Sequence, residues 1–200
     1  KVKEERIKGG YVMESKPGIY DFILILDFKS LYPSIMRTFN VDPFSYVEDC
    51  KGKDLIVAPN GACFKNQEGI IGNIIENLST ERDKARENKN ELKRYAIKIL
   101  LNSFFGVLAN PNCRFFNLNV ANAITHFGQE IIKLTAKKIE EEGYDVIYSD
   151  TDAVFILSNA KSLDEAEKIG KKLNDKMNRF FENYVKSGFN RDNYLELEYD

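Results

Sequence analysis

Val146-Ile147-Tyr148-Ser149-Asp150-Thr151-Asp152-Ala153-Val154-Phe155-Ile156-Leu157 reads as two apolar strands joined by a turn that carries two carboxylates. A second stretch, Phe22-Ile23-Leu24-Ile25-Leu26-Asp27, also runs as a buried strand and also stops on an acid. Unpaired carboxylates beside apolar strands cost several kcal/mol, so such a pattern is a poor way to build a core. It is a good way to hold a pair of divalent ions about 3.5–4 Å apart against a triphosphate. An Asp-x-Asp turn alone is also an ordinary polar hairpin, and the rest of the chain decides between the two readings.

Working outward, residues 20–26 are expected as a strand and residues 30–38 as a short helix entered through Ser30, with Pro33 tolerated in its first turn. Residues 42–68 are expected to be irregular, broken by Pro43, Pro59, Asn60-Gly61 and Gly69. Residues 70–88 and 91–105 are predicted helices. Ile71, Ile74, Ile75 and Leu78 recur at helical spacing on the first, and Leu92, Tyr95, Ala96, Ile99 and Leu100 on the second. The turn at Asn88-Lys89-Asn90 is so short that the two must run antiparallel. A helix over residues 121–142 ends at Gly143, a long helix spans 163–185, and a strand spans 194–199.

With the helical hairpin set aside, the order is strand, helix, strand, strand, helix, strand. That is the split arrangement of a ferredoxin-like α/β (α+β) domain, with a four-stranded antiparallel sheet and two helices on one face. The first strand and the central hairpin are neighbours in that topology, which brings Asp27 to the Asp150-Thr151-Asp152 turn.

At 200 residues, 43% hydrophobic and 30% charged, the composition is that of a soluble globular chain. No apolar run approaches the ~18 residues of a membrane span, and no secretory signal is visible, so a cytoplasmic location without membrane partners is expected. Cys50, Cys63 and Cys113 contain no CxxC pair and are expected as reduced thiols, and a zinc site is disfavoured because His126 is the only histidine. The net charge of −2 does not advertise nucleic-acid binding. Locally, however, Arg82, Lys84, Arg86, Lys89, Lys93, Arg94 and Lys98 outnumber Asp83, Glu87 and Glu91 on the helical hairpin. Arg82 and Arg86 are four apart, as are Lys98 and Asn102, so each pair shares a helix face. The chain starts at Lys1 without Met and stops within a strand pattern, and is expected to be a fragment of a larger protein.

Three separated motifs together resemble family B DNA polymerases, of the bacterial polymerase II type, over nearly the whole chain. They are Asp27-Phe28-Lys29-Ser30-Leu31-Tyr32-Pro33-Ser34-Ile35, the hairpin cations with Asn102-Ser103-Phe104-Phe105-Gly106, and Tyr148-Ser149-Asp150-Thr151-Asp152-Ala153. The resemblance implies a palm over residues 1–69 and 107–200 and a fingers hairpin over 70–106. It implies two Mg ions, with Mn able to substitute, held by Asp27, the Phe28 carbonyl, Asp152 and, on the last strand, Glu198. Asp150 supports that site and the primer end. Ser30, Leu31, Tyr32, Arg82, Arg86, Lys98 and Asn102 are implied to bind the dNTP, Tyr32 by packing under the sugar and excluding a 2′-hydroxyl. Gly9, Gly10, Tyr11, Phe105 and Gly106 are implied to contact primer-template DNA.

The chain departs from the family pattern at four places, at one of which Arg86 stands where many relatives have lysine. Phe105 replaces a tyrosine, Ser149 a glycine and Ala153 a serine, the last removing a hydroxyl beside an expected metal ligand. Exonuclease and thumb regions are implied partners in a parent chain, and a prokaryotic parent would be nucleoid-associated. Two other classes remain as alternatives. One is a catalytically degenerate polymerase-like scaffold in a replication or repair assembly. The other is an RNA-binding module of the same topology, which should expose stacking aromatics on its strands. Nucleotidyl cyclases share paired acids but lack the hairpin.

Overall fold

The computed structural model describes residues 6–199. Their elements run β1 (Ile23–Phe28), α1 (Leu31–Thr38), β2 (Tyr46–Val47), β3 (Leu55–Val57), β4 (Cys63–Lys65), α2 (Ile70–Glu87), α3 (Glu91–Ala109), α4 (Leu118–Glu141), β5 (Asp145–Asp150), β6 (Ala153–Leu157), α5 (Leu163–Phe189) and β7 (Leu197–Tyr199). They divide into two compact units: residues 6–8 with Tyr32–Phe127, and Gly9–Leu31 with residues 128–199.

The second unit is built on a sheet of order β5-β6-β1-β7, antiparallel throughout. This is the strand order of the expected ferredoxin-like fold. Period-two alternation sorts its faces. Leu24, Leu26 and Phe28 of β1, Val154 and Ile156 of β6 and Leu197 of β7 are all buried. α5 packs on β1 and β7. Its buried residues Leu173, Met177, Phe181 and Val185 recur every four residues, one stripe of an amphipathic helix. Phe28 and Phe181 meet edge to face at 5.5 Å, and burying a ring of that size contributes roughly 1.5–3 kcal/mol. α5 starts at Ser162, whose hydroxyl accepts the Glu165 N–H, while the Glu165 carboxylate accepts the Lys161 N–H. It ends at Asn190 in the left-handed conformation. Gly170 on α5 faces the Tyr199 ring so closely that a Cβ there would overlap it.

In β1 the strand begins three residues later than expected and continues through Asp27 and Phe28. Phe22 holds φ 52° and closes off residues 20–22. The last strand is likewise confined to three residues.

The first unit corrects three expectations. Residues 42–68 are not irregular: they carry a second antiparallel sheet of order β2-β4-β3. Strands of two or three residues are too short to show alternation, and the breakers Pro59 and Asn60-Gly61 are the turn between β3 and β4. Cys50 and Cys63 are not reduced thiols but form a disulfide, with Cα atoms 5.3 Å apart. The register Val47↔Cys63 brings the chain beyond β2 beside β4, a proximity that spacing along the sequence cannot show. Cys113 is free.

The third correction concerns α3, which runs four residues past its expected end. It buries Ile97, Leu101 and Leu108, whereas Leu92, Tyr95, Ala96, Ile99 and Leu100 are exposed. The helix is apolar around much of its circumference, so periodicity alone did not select the packed stripe. α2 and α3 do form the expected antiparallel hairpin. Asn90 caps α3 by accepting the Lys93 N–H, and a Lys93–Glu81 ion pair of 2.6 Å bridges the two helices.

A buried polar knot joins the chain after α1 to the start of α2. Asn40, at φ 50°, donates to the carbonyls of Lys65 and Gln67 and accepts the Gly69 N–H at 2.8 Å. Asp42, 1% exposed, accepts the Phe44 N–H and the Ile71 N–H, each at 2.7 Å. Its carboxylate thus serves an N–H that the first turn of α2 leaves without a helical partner.

Candidate active site

The sheet register places the acids of the second unit in one row. Directly opposed residues of neighbouring strands point to the same face. Asp150 opposes Ala153, Ala153 opposes Asp27, and Asp27 opposes Glu198. The row therefore reads Asp150, Ala153, Asp27, Glu198 across β5, β6, β1 and β7, on the face opposite Leu26, Phe28 and α5. Parity within β5 is reset by a β-bulge between Val146 and Tyr148, which leaves both Val146 and Ile147 buried and turns Asp150 outward. Bulges recur beside active sites because they re-aim one side chain without breaking the sheet.

Asp152 lies in the two-residue turn between β5 and β6, and its carbonyl accepts the Phe28 N–H at 2.9 Å. That bond ties the turn directly to the end of β1, next to Asp27. The structure thus brings Asp27, Phe28, Asp150, Asp152 and Glu198 to one end of the sheet, at its two central strands and their neighbours. Ala153 occupies the middle of the row, where a larger side chain would stand between the Asp27 and Asp150 positions.

Carboxylates directly opposite each other repel. Asp27 and Glu198 are so placed, with Glu196 just ahead of β7. Lys29 offsets part of this charge: its Nζ lies 3.3 Å from Glu196 Oε2 and 4.0 Å from Glu198 Oε1, and its N–H donates to the Glu196 carbonyl. Oδ1 of Asp27 is itself a buried atom. Carboxylate and carbonyl oxygens are the donor set of a hard divalent cation, so the residues present suit Mg. Among the described residues no group of three or more Asp, Glu, His or Cys side chains closes around a common point. Mg is ordinarily bound through one or two carboxylates plus substrate phosphates rather than by an all-protein cage.

Gly10 and Tyr11, two further expected residues of the acid-bearing unit, lie against the turn. Tyr11 accepts the Thr151 N–H at 3.0 Å, and Val12 bridges Asp150. Gly9 accepts from Gln129 Nε2 at 2.6 Å.

Within the first unit, Tyr32 sits in the first turn of α1, after Ser30 at φ 49°. Ser30, through which the helix was expected to be entered, is therefore left-handed and lies just before α1. The Tyr32 ring packs against Phe105 at 4.8 Å, which joins the first and second motifs. Arg82 is half-buried and Arg86 exposed, one turn apart on α2, and Arg86 pairs with Asp83 at 3.5 Å. Lys98 and Asn102 are exposed one turn apart on α3, with Gly106 exposed one turn further on. The Tyr32–Phe105 contact was not foreseen; no sequence signal links two aromatics so far apart. Lys29, a cation two residues after Asp27 in the first motif, is a site residue that the sequence analysis does not assign.

Comparison with known proteins decides the family. The family model for DNA polymerase family B matches residues 1–191. The chain belongs to DNA polymerase family B. Among its relatives, DNA polymerase II of Escherichia coli (strain K12) is 42% identical over 96% of this chain and 25% of its own length. DNA polymerase 1 of Pyrococcus abyssi is 33% identical over 98% of this chain and 26% of its own length. The DNA polymerase alpha catalytic subunit of Drosophila melanogaster is 28% identical over 90% and 13%. This family B chain therefore spans about a quarter or less of the length of these curated relatives. Among its described residues no helix is long and apolar enough to cross a membrane.

Proposed function

We propose that the chain is the catalytic core of a DNA-directed DNA polymerase, transferring nucleotides from a dNTP to a primer 3′-hydroxyl. The observation that carries the reading is the acid row, with Asp152 tied to the end of β1 beside Asp27. In this reading residues 1–69 and 107–200 are palm and residues 70–106 are fingers. Asp27, Asp152, Glu198 and the Phe28 carbonyl hold divalent ions, with Asp150 beside them toward the primer end. Two such ions, when bound, polarise the primer hydroxyl and neutralise the triphosphate and departing pyrophosphate. Arg82, Arg86, Lys98 and Asn102 bind the triphosphate, which spreads its charge in a loose transition state. The N–H groups at Ser30 and Leu31 face the same kind of anion at the start of α1. Tyr32, steadied by Phe105, selects deoxyribose, and Gly106 with the segment at Gly9 follows the primer-template duplex.

The test is primer extension by the full natural chain that carries these residues, with Mg and all four dNTPs. Asp27→Ala or Asp152→Ala is expected to abolish incorporation with the far-ultraviolet circular dichroism unchanged. Full activity in either folded variant would return the acids to a structural role and favour a scaffold.

A further inference from the structure

We propose that residues 10–13 act as a brace that sets the Asp150-Thr151-Asp152 turn, and that Gly10 is a positioning residue whose partner is Thr151 rather than a DNA phosphate. The inference rests on the polymerase reading above and assigns to this segment a task within the same site.

β5 ends the four-stranded sheet, and an open edge offers unpaired N–H and C=O groups. Residues 11–16 cover it. The Thr151 N–H donates to the Tyr11 carbonyl at 3.0 Å, the Met13 N–H to the Ser149 carbonyl at 2.9 Å, and the Lys16 N–H to the Ile147 carbonyl at 3.0 Å. The segment is fastened in turn to α4, where Lys133 lies 4.7 Å above the Tyr11 ring and Gln129 holds the Gly9 carbonyl.

Thr151 shows why a brace is needed. It holds φ 52°, a left-handed conformation that a β-branched residue adopts only where its surroundings over-determine it. Its hydroxyl donates to Asp150 Oδ1 at 2.9 Å, so the position of Thr151 is coupled to that of an acid in the site. A Cβ added to Gly10 would come within 2.8 Å of Thr151 Oγ1, 3.0 Å of its Cγ2 and 3.2 Å of its Cβ. Gly10 has no positive φ, so its backbone does not require glycine; the lack of a side chain is what lets it lie on Thr151. At Gly9 a Cβ would meet nothing within 4 Å, which confines the steric demand to Gly10.

The experiment is a double-mutant cycle of Gly10→Ala and Thr151→Ala in the full natural chain. Two quantities are read: the single-turnover incorporation rate at saturating dNTP, and the primer-template Kd from fluorescence anisotropy. On the native background Gly10→Ala is expected to lower the rate about tenfold or more, as small misplacements of reacting groups do, with Kd unchanged. On the Thr151→Ala background, where Oγ1 and Cγ2 are gone and only the Cβ at 3.2 Å remains, the same substitution is expected to cost clearly less of the rate. A weakened Kd with the rate preserved, or the same loss on both backgrounds, overturns the brace and returns Gly10 to DNA contact. No effect on either quantity overturns it as well. A native chain that incorporates nothing sinks the polymerase reading instead. The cycle is then read in Tm, where a loss on the native background that shrinks with Thr151→Ala supports the brace and equal losses refute it.

Discussion

Asp42→Ala should unfold the start of the helix that carries Arg82 and Arg86. The Asp42 carboxylate is 1% exposed and accepts two N–H groups at 2.7 Å each, one of them from Ile71 in the first turn of α2. Removing an N-cap acceptor typically costs about 1 kcal/mol. Here the Ile71 donor is buried as well, and leaving a buried donor unsatisfied costs roughly 1–3 kcal/mol. Taken together, a loss of about 2–4 kcal/mol is expected. Asp42→Asn keeps one side-chain oxygen but not the charge that favours a helix N-terminus, and should cost roughly half as much. Urea unfolding followed by circular dichroism reads the difference, as a lower midpoint at constant slope. A cost below about 1 kcal/mol for Asp42→Ala, or equal costs for Ala and Asn, would refute the capping account.

Three further outcomes follow from the same structure. Reducing the Cys50–Cys63 disulfide, which closes a sequence separation of 13, should lower stability by about 3 kcal/mol; an unfolding midpoint indifferent to reductant would contradict the bond. The Tyr184 hydroxyl is raised above its ordinary value of 10.0 by burial and by the neighbouring Glu130 carboxylate, to which it donates at 2.9 Å. The stability it lends is whole below that ordinary value and falls as pH rises above it, so native chain and Tyr184→Phe should converge in alkali; a gap constant to high pH would be the contrary result. Tyr32→Ala should relax discrimination against ribonucleotides in single-nucleotide incorporation, and unchanged sugar selectivity would remove Tyr32 from that role.

The four-stranded sheet was legible in the sequence because its strands alternate or run apolar and its helices are long. The acids were legible as residues but not as a row. That arrangement depends on which residue opposes which, and a single bulge near Ile147 changes the parity of β5. Strands as short as β2, β3 and β4 leave no periodicity to read, and the disulfide follows only once β2 lies on β4. α3 shows the opposite difficulty: Leu92, Tyr95, Ile99 and Leu100 form a good apolar pattern, yet Ile97 and Leu101 are buried instead. Where a helix is apolar on several sides, packing selects the face. Gly9-Gly10-Tyr11 was visible as a motif, but the partner of Gly10 was not, because Thr151 lies far away along the chain.

In the proposed polymerase Asp27 and Asp152 hold the divalent ions of nucleotidyl transfer. The most direct measurement counts Mn bound by the full natural chain, by electron paramagnetic resonance, with a dideoxy-terminated primer-template and the matched dNTP. Two ions per site are expected in the native chain, and loss of binding in both Asp27→Ala and Asp152→Ala. Unchanged Mn binding in either folded variant would contradict the account.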